Sequence, residues 1–398
     1  MSAPAAPNPE RPRALYVHIP FCEQRCPYCD FAVHVGGAAR HRGYVAAVRA
    51  ELRWLARAAV VPAPLDSVYL GGGTPSRLSP RLVAAILGTA RARFGVAPGA
   101  EVTLEANPSD VTTRRARAWV AAGVTRVSLG VQSLDDGVLR QLGRNHTAVQ
   151  ALAAIRALRG AAVPSLSCDL LYGIPGRPAV SFQASLDRLL EAGPDHVSCY
   201  ELTPERGTRL QRQVTLGLVR PPHPVANLAQ HWWAVERLAA GGYQQYEVSN
   251  FARPGQESRH NLQYWRQGWY WAVGSGAHGH LPAAIARRLG VDVEAPEPGV
   301  RAVRWWNHRG TARYLRAVDE TGSGWAGWEA VDADQAELER VACGLRLREG
   351  VLLQTPAQRR MARQLSRHGL LTMAGGRART TRRGEELLEA VTRRLLAA

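Results

Sequence analysis

Three cysteines stand close together near the amino terminus. Cys22, Cys26 and Cys29 are spaced C-x3-C-x2-C, directly after a short apolar run. Cysteine thiolates hold iron–sulfur clusters, and several reach one cube only from a tight loop. Three thiolates serve three irons of a [4Fe–4S] cube and leave the fourth open to an outside ligand, as a catalytic metal site requires. A structural zinc site is the competing chemistry, since His18 and His34 flank the loop and offer a fourth ligand. Against it, no second C-x2-C pair follows. A disulfide framework fits poorly, because Cys168, Cys199 and Cys343 are scattered singly through apolar segments.

Other chemically capable residues recur further along. The run Gly71-Gly72-Gly73-Thr74-Pro75 is at least a turn, and its glycines permit close backbone approach to a ligand. Glu105, Gln132 with Ser133, and Asp169 follow at intervals. Glu105 and Asp169 are compatible with ordinary ion pairs, but as a pair around one mouth they suit a cationic, hydroxyl-bearing ligand. Arg144 is one of 50 basic residues and carries little weight alone.

Residues 252–281 are dense in aromatics: His260-Asn261-Leu262-Gln263-Tyr264-Trp265, then Trp269, Tyr270 and Trp271, then Gly274-Ser275-Gly276-Ala277-His278-Gly279. Such density buries large apolar area or stacks on flat ligands. His260 and His278 both have the chemistry of an axial haem ligand. Composition alone favours the plainer reading, in which the aromatics cover an open side of the fold and the histidines satisfy loop backbone.

The elements that must position these residues alternate in type. Short β-branched runs at Leu15–Ile19, Ser67–Leu70, Glu101–Glu105, Arg126–Gly130, Ser165–Leu171 and His196–Tyr200 read as strands, with a seventh at Tyr246–Ser249. Helical patterns lie between them, near 40–59, 79–94, 112–122, 147–160, 178–192 and 224–240. This alternation predicts right-handed βαβ units and a partial α/β barrel of (β/α)6 type. The cysteine loop, the glycine loop, Glu105, Gln132 and Asp169 then fall at successive strand ends, around one mouth. Residues 251–325 read as the aromatic-rich segment followed by a linker, broken by Pro296 and Pro298, with one short helix near 308–318. Residues 326–398 read as helix, helix, hairpin and helix, a small winged-helix-like α+β domain.

Bulk properties narrow the function classes. With 398 residues and 46% hydrophobic content, the chain is globular and longer than one typical core. No apolar run approaches the length of a membrane span, and residues 1–13 read as a loose, disordered Pro/Ala-rich tail without the apolar stretch of a secretory signal. A cytoplasmic location is the expectation. The net charge of +17 comes entirely from arginine, for the sequence contains no lysine. Spread along most helices, these arginines read as solvated faces rather than a nucleic-acid patch, so no nucleic-acid partner is expected.

Taken together, the cysteine loop, Gly71–Pro75, Gly130-Val131-Gln132-Ser133, Asp169-Leu170-Leu171-Tyr172-Gly173-Ile174-Pro175-Gly176 and the tail domain resemble the radical S-adenosylmethionine (SAM) superfamily. The likeness is to the branch shared by oxygen-independent coproporphyrinogen III oxidases and HemW-type haem chaperones, and it spans nearly the whole chain. The resemblance implies that Cys22, Cys26 and Cys29 bind a [4Fe–4S] cluster. It implies that Tyr16, Tyr28, Gly72, Gly73, Thr74, Glu105, Gln132, Arg144 and Asp169 line a site for S-adenosyl-L-methionine. Two features separate the branches. The oxidases resemble a pattern with a further cysteine where this chain has Phe31, and they look longer before the first strand. His260–Trp265 fits the HNxxYW pattern associated with haem binding in the chaperones. The resemblance therefore implies a haem chaperone delivering haem to respiratory haem proteins, at the membrane among other places. In it, His260 contacts the haem and Tyr264 and Trp265 pack on the macrocycle. A homodimer is compatible with this reading. The alternative is oxidative decarboxylation of coproporphyrinogen III.

Overall fold

The computed structural model describes residues 11–58, 64–291 and 302–397. The first ten residues of the expected tail, and Pro296 and Pro298 of the expected linker, lie outside them. Six strands run parallel and in sequence order: β1 (Ala14–Ile19), β2 (Leu65–Gly72), β3 (Val96–Ala106), β4 (Arg126–Gln132), β5 (Ser165–Tyr172) and β6 (His196–Glu201). Each contains the run expected to form it. Parallel neighbours need a crossover, supplied here by α1 (His41–Leu55), α2 (Pro80–Phe94), α3 (Thr113–Ala122), α4 (Ala148–Gly160) and α5 (Ala179–Glu191). These helices form because their apolar residues recur on one stripe. In α2 the buried apolar positions are Val83, Ile86, Leu87, Ala90 and Phe94. Their starts are fixed locally: the Thr112 side chain accepts from Arg115 N, and Thr147 with Gln150 forms a full capping box before α4.

Beyond β6 the expectation fails in one place. The run at 246–249 does not form a seventh parallel strand. Instead β7 (Gln244–Glu247) and β8 (Asn250–Ala252) form a tight antiparallel pair, and β8 pairs antiparallel with β6. The two residues between them are too few for a crossover, so only reversal is available. The seventh parallel strand is β9 (Tyr270–Val273), which returns to the other side of the sheet beside β1.

The stretch read as a linker also has another form. β10 (His278–Pro282), β11 (Ala302–Asn307) and β12 (Trp325–Val331) extend the sheet antiparallel beyond β9, and the short helix is Thr311–Thr321. Their support is tertiary: Trp305 is fully buried, with its ring 5.4 Å from that of Trp325.

A second apolar core, including Val341, Leu345, Val351, Leu365 and Val391, belongs to the C-terminal part. There a small separate sheet, β13 (Val351–Leu352), β14 (Leu371–Ala374) and β15 (Arg377–Thr380), packs with three helices, as a winged-helix-like unit should. The architecture is a partial (β/α)6 barrel of α/β class followed by that α+β unit.

Candidate functional site

The cysteine loop leaves the C-terminal end of β1. Residues Phe21–Cys22 pair with His34–Val35, and His34 N donates to Pro20 O at 2.7 Å, so the loop closes on itself. Inside it Cys29 N donates to Cys26 O at 3.2 Å. The thiols face neighbouring strand ends: Cys22 Sγ lies 3.6 Å from Thr74 Oγ1, and Arg144 Nη1 donates to Cys26 Sγ at 3.6 Å. Burial pushes the Cys22 thiol up to about 11 and raises that of Cys29, so metal binding must displace protons here.

The histidines of the zinc alternative are otherwise engaged. His18 offers Nδ1 to Tyr16 Oη at 3.1 Å and Nε2 to Ala32 O at 2.8 Å, and burial lowers its pKa to about 4. His34 Nε2 is met by Arg40 Nη1 at 3.0 Å. Three thiols with no fourth side-chain ligand among the described residues suit a cube with one open iron better than a closed zinc tetrahedron.

The glycine loop after β2 seats the cysteine loop. Gly73 N donates to Ile19 O at 2.8 Å, and a Cβ at Gly73 would come within 2.6 Å of the Pro20 carbonyl. Gly72 has φ +110, and a Cβ there would meet the His18 ring at 2.4 Å. The close approach anticipated for a ligand is thus also an approach to the chain's own β1. Gly72 N in turn donates to Glu105 Oε2 at 3.0 Å.

Below the loops a cavity of about 360 Å³ opens along the inner face of the sheet. Cys22, Cys26, Cys29, Tyr28, Gly72, Gly73, Thr74, Glu105, Gln132, Arg144 and Asp169 all line it, as expected around one mouth. Its walls are polar because the register aligns polar residues across neighbouring strands. Glu105 pairs with Ser128, Ser128 with Ser167, and Ser167 with His196. Buried polar walls are costly unless partnered. Tyr69 Oη donates to Glu105 at 2.7 Å, and Ser128 Oγ to Asp169 at 3.3 Å. Burial, reinforced by neighbouring Asp169, raises the Glu105 carboxyl to about 7, and burial raises Asp169 too.

Arg144 donates to Asn107 Oδ1 at 3.1 Å and Gly130 O at 3.2 Å, while its Nε is buried without a partner. Gln132 holds φ 64, a strained non-glycine conformation of the kind found at functional sites. Tyr69, Ser128 and Ser198 join the wall without having been singled out by sequence. The two-residue period of the strand, extended back from Gln132 through Gly130, is the signal that could have found Ser128.

Four expected residues are absent from the cavity lining. Tyr16 stands behind Tyr69, their rings 6.1 Å apart. His260 lies in the short helix α6 (Arg259–Trp265), whose N-terminus is capped by the buried carboxylate of Glu101 through the amides of Arg259 and His260, both at 3.0 Å. The His260 side chain is 0% exposed, with Nδ1 2.9 Å from Ser67 Oγ and Nε2 2.9 Å from Tyr264 Oη. Burial lowers its pKa to about 3, so the ring is a neutral structural brace in this state. Trp265 points elsewhere, under the Arg346 guanidinium at 4.9 Å.

Comparison with known proteins places this geometry. The profile of the Radical SAM superfamily matches residues 16–189. The chain is 39% identical to the heme chaperone HemW of Mycobacterium tuberculosis, covering 98% of this chain and 96% of the relative. It is 40% identical to the mitochondrial radical S-adenosyl methionine domain-containing protein 1 of Bos taurus, over 78% of this chain and 71% of that one. In structure it is similar to coproporphyrinogen III oxidase (HemN) of Escherichia coli, a radical SAM enzyme, with a TM-score of 0.77 over 98% of this chain and 91% of the other. The identity there is only 22%, a likeness of fold. With its cysteine loop and the first five strands of its barrel matched by the superfamily profile and nearly its full length by a chaperone relative, the chain belongs to the HemW-type family of radical SAM proteins.

Proposed function

We propose that this chain is a cytoplasmic haem chaperone that holds a [4Fe–4S] cluster and S-adenosyl-L-methionine, binds haem, and passes it to haem-accepting proteins such as those of respiration. The observation that carries the reading is the full-length likeness to relatives named as haem chaperones. The site is consistent with it. Where the oxidase pattern would place a further cysteine, this chain has Phe31, 57% exposed beside the cluster loop. Among the described residues no helix is long and apolar enough to cross a membrane.

The residues present fit the cofactors. Cys22, Cys26 and Cys29 would hold the cluster, and the cavity below would take S-adenosylmethionine. Glu105 and Asp169 supply carboxyl oxygens for its cationic and hydroxyl groups, and the unpartnered Nε of Arg144 faces the same buried shell. When bound, the cluster and S-adenosylmethionine together supply one-electron chemistry. The chain's own residues bind, orient and exclude water. Gly72 and Gly73 fix the distance between the cysteine loop and the carboxyl wall, and Tyr69 keeps a hydrogen bond on Glu105.

Anaerobically reconstituted protein should carry iron and sulfide that Cys26→Ser removes. Mixed with haem it should develop a Soret band and transfer that haem to an apo-acceptor, with a rate that responds to S-adenosylmethionine. Absence of haem uptake by the wild-type protein overturns the chaperone reading. Formation of protoporphyrinogen from coproporphyrinogen III overturns it in favour of the oxidase.

A further inference from the structure

The buried state of His260 leaves the question of what holds the iron. We propose that the haem docks on the outer face of the β10–β11 ladder, with His278 as an axial ligand, Trp306 against the macrocycle and Arg309 on a propionate. This rests on the chaperone reading above and names the contact within it.

A ligating imidazole needs an exposed ring nitrogen with a free lone pair. His260 has neither. His278, at the start of β10, is exposed, and its ring makes no hydrogen bond to another described residue. The partial cover of its neighbours, then the Arg309 and Arg304 guanidiniums, hold its pKa below the ordinary histidine value, so the ring is neutral and ready to ligate at neutral pH.

The surroundings match a flat, dianionic ligand. Register places Trp306 directly opposite His278, with ring centroids 6.2 Å apart and planes 32° from each other. Gly327, across the next ladder, leaves the indole room to lie on the sheet, since a Cβ there would meet it at 2.6 Å. Cation supply is uneven. Arg304 is committed to Glu329 at 3.1 Å and Glu339 at 2.6 Å. Arg309 is exposed and, among the described residues, donates only to the Asp30 carbonyl, at 2.7 Å, which leaves its charge available for a carboxylate. That contact also joins the proposed face to the cluster loop, one residue before the exposed Phe31.

Ferric haem titrated into the reconstituted protein, followed by absorbance and electron paramagnetic resonance, tests the assignment. His278→Ala and His278→Gln should weaken ferric haem binding about tenfold or more and change the spin-state signature, while leaving iron, sulfide and melting temperature at wild-type values. Metal-free protoporphyrin IX needs no axial ligand, so its binding should survive both variants yet weaken several-fold in Trp306→Ala and Arg309→Ala. Haem uptake with an unaltered spectrum and affinity in both His278 variants overturns this inference while leaving the chaperone reading standing. The same holds if His260→Ala removes iron ligation without loss of fold. No uptake by the wild-type protein overturns both.

Discussion

Glu105 and Asp169 face one cavity from adjacent layers of the barrel, and burial keeps both carboxyls protonated more readily than in water. A cationic ligand reverses that preference, because a positive charge a few ångströms away favours the carboxylate. The sign follows: below about 7, binding of S-adenosylmethionine must first remove a proton from Glu105. Affinity should therefore rise with pH by about tenfold per unit up to that point and level off above it. Calorimetric titrations between acid and mildly alkaline pH, run in two buffers of different ionisation enthalpy, would show the released proton. Glu105→Gln should flatten the profile; a flat profile in the wild-type protein would refute the carboxyl's role.

Glu51, on α1, shows how whole elements are locked to the site. Its carboxylate, 0% exposed, accepts from Gly274 N and Gly324 N at 2.9 Å and from Asn307 Nδ2 and Tyr314 Oη at 2.8 Å. One side chain thereby ties α1 to the turn after β9, to β11 and to the helix that follows it. The same turn packs on the cluster loop, with a Cβ at Gly276 meeting Ala32 at 2.6 Å. Glu51→Ala strands four donors in the interior and should cost about 3–5 kcal/mol in denaturant melts. It should also lower cluster retention, since the loop loses its backing. None of this was legible in sequence, where Glu51 is one acid in an amphipathic helix. Likewise β11 was read as linker, because its run owes its order to the burial of Trp305 and to partners supplied by β10 and β12.

At the scale of the molecule, the C-terminal unit is joined to the barrel by polar contacts gathered around the buried side chain of Glu385. Glu385 of that unit is met by His231 of the barrel at 3.3 Å and by Arg348 of its own unit at 2.9 Å. Arg348 N also donates to Tyr246 O at 3.0 Å, and Arg382 lies over Trp232 at 4.5 Å. On the hairpin of that unit, Arg377 donates to Gly350 O and Arg379 to Glu349 O. A double-mutant cycle on His231→Ala and Glu385→Ala should return a coupling energy of about 1–3 kcal/mol. Melts of these variants should separate into two transitions as the two cores lose cooperativity. A coupling near zero would show that the pair does not hold the units together.

The sequence by itself determined the parallel strands, the crossing helices and the mouth at which Cys22, Cys26, Cys29, Glu105 and Asp169 meet. It could do so because two-residue and 3.6-residue periods are local properties, and because a parallel βαβ series sends every strand end to the same side. Only the tertiary structure decided the rest: that β7 reverses, that β9 closes the parallel set, and that His260 turns inward while His278 faces out. Those outcomes depend on which distant side chain satisfies each buried polar atom, as Ser67 and Tyr264 do for His260, and no local spacing encodes a partner so far along the chain.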